Sequence, residues 1–112
     1  MLARFLKLFQ KPAEPALGAA RSGSWPRVRA EHLEREPECR VCGTTSGLAV
    51  HHRVPVHIDP SRELDPMNLI TLCNENGCHY LVGHGRDWKA YNPSVDPDCA
   101  KMRGMIARRK YE

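Results

Sequence analysis

Residues 68–79 of the chain read NLITLCNENGCH, and this stretch decides the fold. The short apolar run Leu69–Cys73 predicts a β-strand. A helix is expected to begin at Cys78, and Gly83 and Gly85 indicate that it bends or stops early, because glycine weakens a helix interior. The stretch therefore carries a strand, a turn between two cysteines and the start of a helix.

Two cysteine pairs provide a metal-binding pattern. Residues 39–43 read CRVCG, and thiolates separated by two residues in a tight turn can take adjacent corners of a tetrahedron. The second pair is separated by four residues, where two are more usual, but Asn76-Gly77 can take positive φ and so permit a wider turn. Buried free thiols are the alternative. We expect one closed structural zinc site, with the ligands Cys39, Cys42, Cys73 and Cys78.

The composition indicates a thin hydrophobic core. The chain has 112 residues, of which only 6% are aromatic, while glycine (8) and proline (9) together account for 17. Small domains with thin cores usually need a disulfide, a metal or a partner subunit. Structural zinc contributes roughly 10–16 kcal/mol of apparent binding free energy in small domains, so a metal can meet this need.

Charge and cysteine count bear on partners and compartment. The net charge of +4 suits an approach to phosphates, although many solvated surfaces are equally basic. Five cysteines, an odd number, and the lack of a long apolar segment favour a reducing, cytoplasmic setting with no membrane contact. We expect residues 1–24 to form a flexible N-terminal segment and linker, and residues 25–112 to form one domain. Residues 1–9 suit either a short amphipathic helix or a frayed terminus.

Turn formers and apolar spacing predict the remaining elements. A helix capped by Ser24, with Pro26 in its first turn, is expected to end at Pro37. A strand is expected over Leu48–His52, and a last helix with a basic end from Asp96 to about Arg109. The residues expected to face inward on the two helices are Trp25, Val28, Leu33, Met102, Met105 and Ile106.

The order of cysteines, histidines and asparagine resembles that of the HNH nuclease family. The motifs that carry the resemblance are CRVCG at 39–43, VHH at 50–52, NLITLC at 68–73 and CH at 78–79. The resemblance covers about residues 25–92 and implies an α+β fold. The implied domain is a small zinc-stabilised ββα-metal (HNH, His-Me finger) unit, here with flanking N- and C-terminal helices. It implies hydrolysis of DNA phosphodiester bonds with one divalent metal ion, Mg²⁺, Mn²⁺ or another transition metal.

The resemblance also implies roles for single residues. His52 is expected to be the general base, and His51 and His79 to hold the metal. His84 matches a third ligand, but residues five apart on a straight α-helix point about 140° apart. We therefore predict that the chain leaves α-helical geometry between His79 and His84. Asn68 either braces the loop so that His52 faces the water or ligates the metal, and with three histidines present we prefer the brace.

Several side chains outside the motifs have weaker assignments. The candidate phosphate contacts are Arg53, Arg86 and Lys89, although solvated surface charge is equally plausible. Core packing is favoured over base stacking for Trp88 and Tyr91. Surface positions are expected for His32 and His57. Cys99 has no partner at metal spacing and is expected to be an ordinary helix residue.

Two function hypotheses follow. The first is a DNA endonuclease, which fits a phage or mobile element, with weak sequence specificity or a specificity partner protein. The alternative is a catalytically inactive zinc-ribbon module that binds nucleic acid. The set His51, His52, Asn68 and His79 favours the nuclease, because a binding module has no need of it.

Overall fold

The computed structural model describes residues 21–109, which form an α+β architecture as predicted. The helices and strands, in chain order, are α1 (Trp25–Arg35), β1 (Leu48–His52), β2 (Leu69–Cys73), a π-helix (His79–Gly83) and α2 (Val95–Arg109). Two single 3₁₀ turns, Pro60–Arg62 and Pro66–Asn68, lie in the loop between the strands. The helix considered for residues 1–9 and most of the predicted linker lie outside the described residues. Within residues 21–109, no helix has the length and apolar character needed to span a bilayer.

The two strands form an antiparallel pair, and both cover the residues predicted for them. The register places Leu48 opposite Cys73 and His52 opposite Leu69. Every residue of β2 is buried, because α1 and the π-helix both contact it. Since side chains alternate across a strand, His51 and His52 belong to different faces, and each face has its own core cluster.

Helix α1 covers one face of the sheet. Val28 packs with Val50 and Leu69, and Trp25 and Leu33 lie against the same cluster, as predicted. His32 is only 1% exposed, so its predicted surface position is wrong. The reason is helical periodicity, because a residue four positions after Val28 lies on the same side of the helix and faces the sheet.

Helix α1 begins directly after Ser24 with Pro26 in its first turn, as predicted, but without the expected side-chain cap. The Ser24 side chain makes no capping hydrogen bond. The backbone carbonyl of Ser24 accepts from the Val28 N–H at 3.1 Å, and the Ser24 N–H donates to the Ser22 hydroxyl at 3.1 Å. Ser24 itself is in the right-handed helical region (φ −82°, ψ −9°), which is not the extended conformation typical of a side-chain cap.

Helix α2 packs against the other face, beside the cysteines. Val95 and Cys99 are buried, and Met102 and Ile106 pack partly against the same cluster. These positions follow the three-to-four residue spacing of a single helix stripe. Met105 is 39% exposed, so its predicted inward orientation is wrong, because it lies off this stripe.

Candidate active site and structural metal site

The four predicted zinc ligands lie together at one end of the sheet. Their sulfur atoms are all within 4.8 Å of one another. The Sγ atoms of Cys42 and Cys73 are 3.6 Å apart, close to the separation of about 3.8 Å expected for two ligands of one tetrahedral zinc. Three of the four side chains are buried, and Cys42 is half-buried. The set therefore fits a closed, structural metal site.

Both cysteine turns have backbone features that support ligation. Gly43 (φ 79°) and Gly77 (φ 83°) take the left-handed conformation that these turns require. In the wider second turn, Asn76 donates its backbone N–H to Cys73 Sγ and its side-chain amide to Cys42 Sγ, both at 3.4 Å. These donors stabilise negative charge on the sulfurs. The four-residue spacing is thus accommodated by Asn76 and Gly77.

The thiol pKa values differ between Cys39 and Cys78, which belong to the cysteine site, and Cys99, which does not. A hydrogen bond with Cys78 lowers the pKa of Cys39 to about 4, and the same contact raises the pKa of Cys78. Burial in the core raises the pKa of Cys99 to about 11. Cys99 is therefore an unreactive core residue of α2, in agreement with its expected role.

The segment after Cys78 is a π-helix. The His84 N–H donates to the carbonyl oxygen of His79 at 3.0 Å, a bond between residues five apart. This wider turn brings side chains five positions apart to the same side of the segment, which an α-helix does not do. The predicted departure from α-helical geometry between His79 and His84 is present.

Gly83 is needed in this helix for space. A Cβ on Gly83 would lie 2.9 Å from Leu72 Cδ1 and 3.3 Å from His51 Nδ1. Gly83 does not have positive φ, so its place here does not depend on the left-handed conformation. The absence of a side chain lets the π-helix approach β1 and β2 closely.

Three histidines converge in the space between β1 and the π-helix. His79 Nε2 is 3.1 Å from His51 Nδ1 and 3.2 Å from His84 Nε2. Ligands held 2.0–2.1 Å from one tetrahedral metal would be about 3.3–3.4 Å apart. The three ligand atoms all lie within 4.8 Å of one another, so one ion can reach them all. We call His51, His79 and His84 the histidine cluster.

Two further contacts orient the rings of the histidine cluster. His79 Nδ1 lies 3.1 Å from the side-chain oxygen of Asn74, and His84 Nδ1 lies 3.1 Å from the carbonyl oxygen of Ala90. In each ring Nδ1–H donates to oxygen, which leaves Nε2 unprotonated and directed at the cluster. The sequence contains no motif that would have singled out Asn74 or Ala90.

Burial keeps His51 and His79 uncharged by lowering the pKa of each imidazole. Desolvation lowers the pKa of His79 to about 3 and lowers the pKa of His51 well below its ordinary value. Trp88 contributes to this burial, since its ring lies 5.1 Å from the rings of both His79 and His84. Trp88 is 9% exposed and so packs in the core, as expected. Neutral imidazoles are the form that binds a metal.

His52 is buried on the opposite face of β1, against α1. Its Nε2 lies 2.9 Å from the backbone carbonyl oxygen of Glu63, and its ring centroid lies 4.6 Å from that of Trp25. Because a carbonyl only accepts, Nε2 carries the proton and Nδ1 has a free lone pair. Burial lowers the pKa of His52, so the neutral form predominates at neutral pH. A neutral ring with an unprotonated Nδ1 is able to accept a proton.

Asn68 is fully buried, and its amide bonds only to loop backbone among residues 21–109. Its oxygen accepts from the Val54 N–H at 2.8 Å, and its Nδ2 donates to the carbonyls of Val54 and Arg62, each at 3.1 Å. These bonds join the end of β1 to the loop segment that precedes Glu63. The amide has the contacts of a loop brace.

The three basic candidates have different surroundings. Arg53 donates from both Nε and Nη2 to the carboxylate of Asp96 in α2 and from Nη1 to the carbonyls of Met67 and Leu69, so its guanidinium is engaged within the protein. Arg86 and Lys89 are exposed in the loop that follows His84. Arg86 has positive φ (71°), which is unusual for a residue with a side chain. His57 is exposed, as expected, and Tyr91 is 39% exposed, which does not fit core packing.

Comparison with known proteins identifies the segment that holds both sites. Residues 39–84 match the family model described as HNH endonuclease. No curated protein and no solved structure matches the chain. The matched segment runs from Cys39 to His84, so it includes both cysteine pairs and the whole histidine cluster. The resemblance seen in the sequence is confirmed.

Proposed function

We propose that this chain, whose residues 39–84 match the HNH endonuclease family, is a metal-dependent endonuclease that hydrolyses DNA phosphodiester bonds. The observation that carries the proposal is the complementary state of the neighbouring histidines His51 and His52. His51 directs its Nδ1 into the histidine cluster, while His52 bonds through Nε2 to the Glu63 carbonyl and keeps an unprotonated Nδ1 outside that cluster. Metal binding and proton transfer are the two capacities that metal-assisted phosphodiester hydrolysis needs.

In the proposed reaction His52 is the general base. Its Nδ1 takes a proton from a water molecule as the water oxygen attacks phosphorus, and the bond from phosphorus to the leaving oxygen breaks. The leaving oxygen takes up a proton from solvent. The imidazolium that forms is stabilised by the Glu63 carbonyl, which accepts from Nε2–H, and by the nearby Glu63 carboxylate. This stabilisation offsets part of the cost of charging a buried ring.

The histidine cluster would hold the catalytic metal. When bound, the ion supplies a Lewis acid that polarises the phosphate and stabilises the leaving oxygen. Imidazole nitrogens suit zinc, copper, iron and nickel, whereas magnesium and calcium prefer oxygen ligands. Because the donor set consists of His51, His79 and His84, we propose a transition metal in preference to Mg²⁺.

Substrate contacts are proposed for the loop that follows His84. Arg86 and Lys89 are exposed there and lie within five residues of a cluster histidine along the chain. Arg53 is left out of the proposed phosphate contacts, because Asp96 and two carbonyls already engage its guanidinium. The positive net charge supports a polyanionic substrate such as DNA.

The test is plasmid nicking by the purified protein with Ni²⁺, Mn²⁺ or Mg²⁺ and with a chelator. We expect metal-dependent nicking that His52→Ala abolishes, with the zinc content unchanged. His57→Ala is the matched control, because His57 is an exposed histidine outside both sites and its loss should leave nicking intact. A wild-type protein that binds DNA and cuts with none of these metals would be the inactive binding module instead.

A further inference from the structure

The chain before and at the start of α1 contacts His52, although it lies outside the matched residues 39–84. The Trp25 ring packs on the His52 ring with a centroid distance of 4.6 Å and a tilt of 34°. The Ser22 N–H donates to Glu63 Oε2 at 2.8 Å, and the backbone carbonyl of Glu63 accepts from His52 Nε2 at 2.9 Å. Trp25 thus contacts the face of the His52 ring directly. Ser22 is connected to the Nε2 edge of the same ring through Glu63.

Glu63 connects these two contacts. It is only 8% exposed, and a buried carboxylate needs donors to offset its desolvation. The Ser22 N–H is one such donor, although the two residues are 41 positions apart in sequence. This bond fixes the residue whose carbonyl receives the proton-bearing edge of His52.

We propose that Trp25 is a positioning residue for His52 and that the Ser22–Glu63 contact assists it. An imidazole held only at the end of a strand has a broad torsional preference about its ring bond. Packing against the Trp25 indole and donation to the Glu63 carbonyl select one orientation. In that orientation Nε2 carries the proton and Nδ1 remains the acceptor. The expected effect of Trp25 on cleavage rests on the proposed function, whereas its expected effect on the orientation of the His52 ring does not.

The kinetic test compares variants of Trp25 in the full chain. Trp25→Leu should lower kcat about tenfold to a hundredfold, the loss typical of a small misplacement of a reacting group, with KM and zinc content unchanged. Trp25→Phe should retain most of the activity, because a phenyl ring can still pack on an imidazole. Leu33→Ala is the matched control, since Leu33 packs on the same cluster of α1 and β2 residues. Its kcat should stay near that of the wild type.

A second pair of variants keeps the test valid if Trp25→Leu does not fold. Glu63→Ala removes the acceptor of the Ser22 N–H, whereas Glu63→Gln keeps an oxygen in its place. We expect kcat to fall in Glu63→Ala and to recover largely in Glu63→Gln. Equal losses in the two variants would count against the assisting role.

The ring itself is observed by ¹⁵N NMR of the histidine side chains. The wild type, Trp25→Phe and Leu33→Ala should show His52 as the Nε2–H tautomer, while Trp25→Leu should show a mixture of tautomers. An unchanged His52 signal in Trp25→Leu, with activity reduced no more than in Leu33→Ala, would overturn the proposal. If the wild type cleaves no DNA, the proposed function fails, and the tautomer comparison alone decides the positioning role.

Discussion

The cysteine site and the histidine cluster both draw their side chains from residues 39–84, but the two sites are built differently. The cysteine site offers four thiols that could hold one metal ion, three of them buried, and four protein ligands are the closed form of a structural centre. The histidine cluster has three ligands, and His84 is only half-buried. Three protein ligands leave a coordination position for water or substrate. From this comparison we propose that one centre maintains the fold while the other is available for chemistry.

Asn74 connects the cysteine site with the histidine cluster. Asn74, which follows Cys73 directly, holds the His79 ring through its side-chain oxygen. Its backbone N–H donates to the Gly47 carbonyl, which ties it to the start of β1. An intact cysteine site therefore keeps Asn74 in place for His79.

The largest expected effect is that of breaking the cysteine site. Cys39→Ser should lose the zinc and unfold the domain, because a structural zinc contributes roughly 10–16 kcal/mol and a whole domain is stable by only about 5–15 kcal/mol. Elemental analysis and thermal unfolding followed by circular dichroism measure both results. Cys99→Ala is the control, since it changes a buried thiol outside the site and should keep one zinc per chain. A folded Cys39→Ser protein without zinc would remove the distinction between the two sites.

Breaking the histidine cluster should leave the fold intact. His51→Ala should weaken binding of the second metal more than about a hundredfold, because it removes a ligand and not merely an outer contact, whose loss typically costs 10–100-fold. His84→Ala should weaken binding by no more than His51→Ala, since His84 is the least buried of the three. Titration calorimetry with Ni²⁺ on zinc-loaded protein measures both affinities. Loss of the structural zinc in His51→Ala would show that the sites are not separable.

Gly83→Ala should have a smaller effect, directed at the histidine cluster. The added Cβ meets Leu72 Cδ1 at 2.9 Å and His51 Nδ1 at 3.3 Å, so the π-helix must move away from the strands. We expect a loss of about 1–3 kcal/mol in the free energy of unfolding, as for an overpacked core, with a clear loss of Ni²⁺ affinity. Gly104→Ala is the matched control, because no atom lies within 4 Å of its Cβ. This helix-interior change should instead stabilise the protein by about 0.5–1 kcal/mol.

The smallest expected effect concerns the ion pair that ties α2 to the end of β1. Its hydrogen bonds with Arg53 lower the pKa of Asp96, so the pair stabilises the fold above the ordinary Asp pKa and this stability is lost as pH falls through the lowered value. The Asp96 side chain is 51% exposed, so solvent screening limits the contribution to below about 1 kcal/mol. Asp96→Asn should lower Tm slightly at pH 7 and make no difference at strongly acidic pH. If the variant and the wild type still differed in Tm at strongly acidic pH, the substitution would be acting through packing and not through the ion pair.

The sequence by itself determined the local parts of this protein. Both strands, the cysteine turns and the non-α-helical geometry after His79 were predicted, because each depends on residues close together along the chain. Apolar runs, turn glycines and a five-residue spacing carry that information directly. The errors at Ser24, His32 and Met105 concern the start of α1 and the faces of helices α1 and α2, which depend on what each helix packs against.

Only the tertiary structure decided how the histidines are used. The convergence of His51 with His79 joins residues 28 positions apart, and the tautomer of His52 depends on a backbone carbonyl 11 positions away. Every residue has such a carbonyl, so no sequence pattern marks the one at Glu63 or the one at Ala90. Hydrogen-bond direction and ring packing on Trp25 arise when distant segments meet, and for His52 these contacts decide which ring nitrogen carries the proton.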